Sequence, residues 1–137
     1  MKCYAVIDTN VLVSALLSSH DDAATVQVVA KLFSGEIIPL YSDEIIAEYI
    51  DVLHRKKFHF AEETINTLIL AISQYGISIE PTLSGVVLPD MKDLPFYEVV
   101  LEKKDENAYL VTGNIKHFPQ VPFVVTANQL LEILRNS

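Results

Sequence analysis

The sequence predicts an α/β fold in which a parallel sheet is covered by helices on both faces. Continuous apolar runs at Cys3–Ile7 and Ala108–Thr112 suit strands buried on both sides. Segments with apolar residues at helical spacing alternate with such runs along the chain. Half of the 137 residues are hydrophobic, which fills the core of one domain spanning residues 1–137.

The elements follow in order. Cys3–Ile7 is the first strand. Asn10–Leu17 and Asp21–Phe33 read as helices. Ile37–Tyr41 reads as a strand that Pro39 weakens or places near an edge. Asp43–His54 carries Ile45, Ile46, Tyr49, Ile50 and Leu53 on one helical face. Glu62–Gln74 does the same with Ile65, Leu68, Ile69 and Ile72. Ile77–Ile79 reads as a short strand after Gly76. Asp93–Lys104 turns Phe96, Tyr97, Val100 and Leu101 inward. Ala108–Thr112 and Phe123–Val125 complete the strands. Thr126–Gln129 has the form of a capping box, so a last helix starts there.

Ligands of parallel sheets bind beyond the carboxyl ends of the strands, where strand order reverses. Asp8 directly follows the first strand, and Thr112, Gly113 and Asn114 close a later one. If those strands are neighbours, Asp8 and Asn114 share a crevice. Asp8 could instead cap the next helix. On the helix Asp43–His54, at about 100° per residue, Glu44 and Asp51 fall opposite the apolar face and read as solvated. Glu48 falls at the rim, where a side chain reaches a cleft. Asp90 and Asp93 precede a helix with Pro95 close behind. Asp93 suits a cap or a ligand, and Asp90 a turn. Three carboxylates in one crevice, Asp8, Glu48 and Asp93, repel unless protonated or neutralised. Hard oxygen donors select magnesium or manganese, which activate water and stabilise charge on a phosphate.

Composition bounds the rest. The net charge of −8 points away from a general nucleic-acid binder. A carboxylate metal site explains part of it, and a basic protein partner would explain another part. No apolar run reaches the roughly 18–20 residues of a membrane span. Cys3–Ile7 stops too soon for a signal peptide. A soluble, cytoplasmic protein is expected. Cys3, the single cysteine, suits a reducing compartment and a buried packing role.

Four stretches resemble the motifs of PIN domains. They are "YAVIDTNVLV" (residues 4–13), "YSDEIIAEYIDVL" (41–53), "LPDMKDLPFYEVV" (88–100) and "AYLVTGNIKHFP" (108–119). The acids of the first three match Asp8, Glu48 and Asp93. The likeness is to the small prokaryotic branch related to VapC-type toxins of toxin–antitoxin pairs. The resemblance implies a flap-endonuclease-like, three-layer α/β/α sandwich. It also implies Mg2+- or Mn2+-dependent cleavage of single-stranded or structured RNA, a cognate antitoxin and a homodimer.

On this resemblance Asp8, Glu48, Asp93 and Asn114 are the catalytic set, and the three acids are the metal ligands. Asn10, Asp90 and Thr112 support them. The fourth motif departs from the family pattern, with Asn114 where Asp is frequent. An outer role for that position would limit the loss to about 10–100-fold in metal affinity. Arg55, Lys56, Lys57, Lys116 and His117 are expected RNA contacts, although the first three equally suit a solvated helix end. Tyr97 and Phe118 suit base stacking or core packing. Two other readings stay open. One is a catalytically weakened PIN-fold module that binds RNA or protein. The other is a phosphatase of the haloacid-dehalogenase type, whose second Asp would fall at Asn10.

Overall fold

The structure, a computed structural model, describes residues 2–137. The described residues form five parallel strands: β1 (Cys3–Ile7), β2 (Ile37–Tyr41), β3 (Ile77–Ser78), β4 (Ala108–Val111) and β5 (Val124–Val125). Their spatial order is β3-β2-β1-β4-β5. The helices are α1 (Thr9–Leu17), α2 (Ala24–Ser34), α3 (Asp43–Leu53), α4 (Glu62–Tyr75), α5 (Leu94–Lys103) and α6 (Ala127–Arg135). This is the expected three-layer α/β/α sandwich with a central parallel sheet. Helices α2 and α6 lie side by side over one face, and α5 packs on β1, β2 and β4 from the other.

Burial explains the apolar runs. Ala5, Val6, Ile7, Leu110 and Val111 are buried in the two central strands, which helices cover on both faces. The chain lays β2 and β3 to one side of β1, then crosses to place β4 on the other. Strand order therefore reverses between β1 and β4, the point at whose carboxyl ends parallel sheets bind ligands. Helix α6 begins at the expected capping box: Thr126 Oγ1 accepts from the Gln129 amide at 3.1 Å, and Gln129 Oε1 accepts from the Thr126 amide at 2.9 Å.

Several boundaries differ from the sequence reading. Helix α2 starts at Ala24 rather than Asp21, because Asp21 and Asp22 form a turn, a conformation short polar side chains favour. Strands β3, β4 and β5 are each a residue shorter than expected. Ile50, read as inward-facing, is 43% exposed, since the buried face of α3 centres on Ile45, Tyr49 and Leu53.

Pro39 lies near an edge, as read from the sequence: β2 is the second strand of the sheet, next to the two-residue edge strand β3. The Glu36 carbonyl accepts from Cys3 on the β1 side, and the Tyr41 carbonyl accepts from Ile79 on the β3 side. Alternation along the strand turns the Pro39 nitrogen toward β3. That pairing covers only Leu40 and Tyr41, so the missing N–H interrupts no bond.

Gly76 makes the turn into β3 against the same proline. A Cβ there would lie 2.4 Å from the Pro39 carbonyl oxygen and 2.5 Å from that of Ile72. Both are backbone atoms and cannot swing away. Among the described residues, no helix is long and apolar enough to cross a membrane. Cys3 is buried in β1, as expected.

Gly76→Ala is expected to destabilise the protein by about 1–3 kcal/mol, the usual cost of overpacking. Thermal or urea unfolding measures it, and an unchanged midpoint would contradict the close approach.

Candidate active site

Asp8 leaves β1 at the mouth of the crevice. It holds the position before α1, but its side chain makes no capping bond. The carboxylate turns toward β4. Thr112 Oγ1 donates to Asp8 Oδ2 at 2.8 Å, and Asn10 Nδ2 donates to the same oxygen at 3.2 Å. Asn10 Oδ1 in turn accepts from the Gly113 amide at 3.0 Å. The Asn114 amide donates to Thr112 Oγ1 at 2.9 Å. The ends of β1 and β4 are thus tied together around Asp8.

Helix α3 delivers Glu48. It starts directly after β2, where the Ser42 hydroxyl accepts from the Ile45 amide at 3.3 Å. The buried Tyr49 hydroxyl donates to the Ile7 carbonyl at 2.5 Å, which pins the helix to the end of β1. Glu48, one residue earlier, then stands beside α1, and the Thr9 hydroxyl donates to Glu48 Oε2.

Asp93 arrives from the opposite side. Asp90 accepts from the Lys92 amide at 3.0 Å and shapes the turn Met91–Asp93 that leads into α5. Asp93 makes no capping bond there. His117, in the turn after β4, places Nδ1 at 3.1 Å from Asp93 Oδ2.

The three acids feel one another. Burial pushes Asp8 up to about 6; the Thr112 bond opposes this, and the charges of Asp93 and Glu48 add to it. Glu48 is also raised, first by burial against its Thr9 bond, then by Asp93; Arg55 pulls it back. Asp93 is raised by burial against its His117 bond, with Asp90 adding repulsion.

The donor set is oxygen-rich and suits a hard divalent cation. Side-chain hydrogen bonds reach one oxygen of each acid: Oδ2 of Asp8, Oε2 of Glu48 and Oδ2 of Asp93. The second oxygen of each carries no side-chain bond. Among the described residues, no three His, Cys, Asp or Glu side chains stand close enough to hold an ion by themselves. Magnesium takes few carboxylates and keeps several waters, so an open arrangement fits it.

A family model described as a PIN domain matches residues 4–116. The chain belongs to the PIN-domain family. PIN domains are generally nucleases; they bind nucleic acids and typically use divalent metal ions. The matched span contains Asp8, Glu48, Asp93 and Asn114. No curated protein and no solved structure matches the chain.

The remaining sequence-predicted residues distribute around this PIN site as follows. Asn114 stands two residues beyond Thr112, the partner of Asp8; it is exposed, and its side chain makes no hydrogen bond among the described residues. Arg55 follows α3, 3.5 Å from Asp51, and Lys56 and Lys57 lie exposed in the next turn, Lys56–Phe58. Lys116 is exposed, whereas His117 is engaged with Asp93. Glu44 and Asp51 are exposed, as expected. Tyr97 and Phe118 pack in the core, with ring centroids 6.3 Å apart.

Sequence reasoning missed Thr9 and Tyr49. The available signal for Tyr49 was a hydroxyl on a buried helix face, which needs a partner.

The Asp8 shift has a consequence for stability. Its folded pKa, about 6, lies above the ordinary 3.8. Asp8 therefore contributes stability that is fully present below pH 3.8 and is lost as pH rises through about 6. In chelator, Asp8→Asn is expected to stabilise the protein by about 3 kcal/mol at neutral pH, with little gain at pH 4. Thermal unfolding against pH measures this; a gain that grows toward low pH would contradict it.

Proposed function

We infer that the protein is a magnesium- or manganese-dependent endoribonuclease. What supports this reading is the buried Asp8 at the β1–β4 switch point of a PIN domain, where the charges of Asp93 and Glu48 reach it. Asp8, Glu48 and Asp93 would hold the cation. Bound there, it would neutralise the acids, polarise the phosphate and make water more acidic.

The chain's own residues do the positioning. Thr112 and Asn10 fix one oxygen of Asp8, Thr9 fixes one of Glu48 and His117 fixes one of Asp93. These bonds limit the rotation of each acid and leave its other oxygen without a side-chain partner. Outer bonds of this kind raise metal affinity and activity by about 10–100-fold. Asn114 would meet a water or the substrate through its amide. Lys116, Arg55, Lys56 and Lys57 supply exposed cations for phosphate oxygens.

The likeness to VapC-type proteins supports a toxin role, with a cognate antitoxin and a homodimer as partners. The net charge of −8 favours a basic protein partner. Asn114 favours a second reading, a weakened PIN module that binds RNA without cutting it.

Purified protein is expected to cleave mixed RNA with manganese or magnesium and not with chelator. Asp8→Asn should lower the rate by on the order of 100-fold or more. Metal-independent cleavage, or full activity in Asp8→Asn, would sink the nuclease reading. Restoring an acid separates the two readings further. Asn114→Asp should lower the manganese concentration needed for half-maximal cleavage by about 10–100-fold, whereas no cleavage by either form favours the binding module.

A further inference from the structure

A groove leaves the acid site along α1. Thr9 and Asn10 stand at its acid end, and Val13 and Leu17 continue its near wall. Val52, near the end of α3, and Phe58, in the following turn, form the far wall. The space is about 530 Å³, within the range of small-ligand clefts, and its exposed lining is largely apolar. Leu17, at the outer lip, is 57% exposed.

The far wall is built in an unusual way. Phe60 stacks on Phe58 with centroids 5.3 Å apart and planes 12° apart, which stiffens the ring. The Lys57 ammonium lies 5.1 Å from the Phe58 centroid. Arg55 and Lys56 immediately precede it, both exposed. In a chain of net charge −8, this is a local concentration of cations beside an apolar slot.

We propose that this groove holds an unpaired nucleobase of the RNA, next to the phosphate that sits at the acids. The inference rests on the nuclease reading above and adds what the substrate must offer. A strand with a phosphate at Asp8 continues past Thr9 and Asn10, which belong to both places. The flat face of a base is apolar and suits Val13, Val52 and Phe58. Its phosphate stays outside and meets Lys57, Arg55 and Lys56. Bases in a duplex are stacked and hidden, so such a slot selects single strands. An apolar protein segment would also fit the lining. It would explain neither the Lys57 ammonium beside Phe58 nor the continuation of the groove to Thr9 and Asn10, which bond Glu48 and Asp8.

The test measures binding of fluorescent oligoadenylate and oligouridylate to the full chain, in chelator so that no cleavage occurs. Leu17→Glu places an anion on the exposed lip, and Phe58→Ala removes the wall. Each should weaken single-strand binding about tenfold, the scale of one stacked base. Leu70→Glu, on α4 and 57% exposed, lies outside the groove and should bind like wild type. Binding of the adenylate–uridylate duplex should be unaffected by Phe58→Ala. Unaltered single-strand binding in both groove variants overturns the proposal, as does equal loss in Leu70→Glu or with the duplex. Failure of the wild type to bind either oligonucleotide, in chelator and with calcium alike, overturns it too. Manganese-dependent cleavage on the same samples keeps the two readings apart. Cleavage with unaltered groove variants leaves the nuclease standing without the slot, and selective loss of binding in a chain that cuts nothing leaves the slot without the nuclease.

Discussion

A carboxylate buried at the end of a central strand is the constraint around which this end of the molecule is arranged. Taking Asp8 out of water disfavours its charge, and two further acids nearby disfavour it more. The fold meets this with bonds from a neighbouring strand. The pairing of β1 with β4 sets Thr112 across from Asp8, and Gly113 lets Asn10 approach closely enough to tie the two strand ends. Helix α3 is anchored to the same strand end through Tyr49, which is why Glu48 arrives beside Thr9. The site is therefore held by long-range contacts that only the assembled sheet provides. Its residual repulsion is what a divalent cation would relieve.

The charge distribution follows from the same constraint. A strongly acidic surface repels RNA at long range, and salt at physiological strength screens that repulsion beyond about 8 Å. Attraction must then be local. On the proposed reading Arg55, Lys56 and Lys57 would supply it near the end of α3, and Lys116 on the side of β4. Such a layout makes recognition depend on geometry near the acids more than on overall charge.

Much of the fold was legible because its signals are local. The runs Cys3–Ile7 and Ala108–Val111 are uniformly apolar since both faces are covered, and the capping box at Thr126 marks a helix start without tertiary help. Asp8 was legible from its place directly after such a run, and Glu48 from its angle on α3. Pro39 pointed to the edge side of the sheet, but the strand tolerates it because β3 stops short of it, which is a property of pairing and not of the residue. Asp21 and Asp22 misled at the start of α2 because helical periodicity does not mark the turn before it. The Thr9–Glu48 and His117–Asp93 bonds join residues far apart in the chain, and no spacing rule announces them.

On the proposed reading, three acids from three elements make one cation site. Calorimetric titration of manganese into the wild type, Glu48→Gln and Asp93→Asn tests it most directly, because it reads binding without needing the right RNA. Saturable binding is expected in the wild type, with a loss of about 10-fold or more in affinity in each variant. Binding unchanged in both variants, or absent from the wild type, would contradict it.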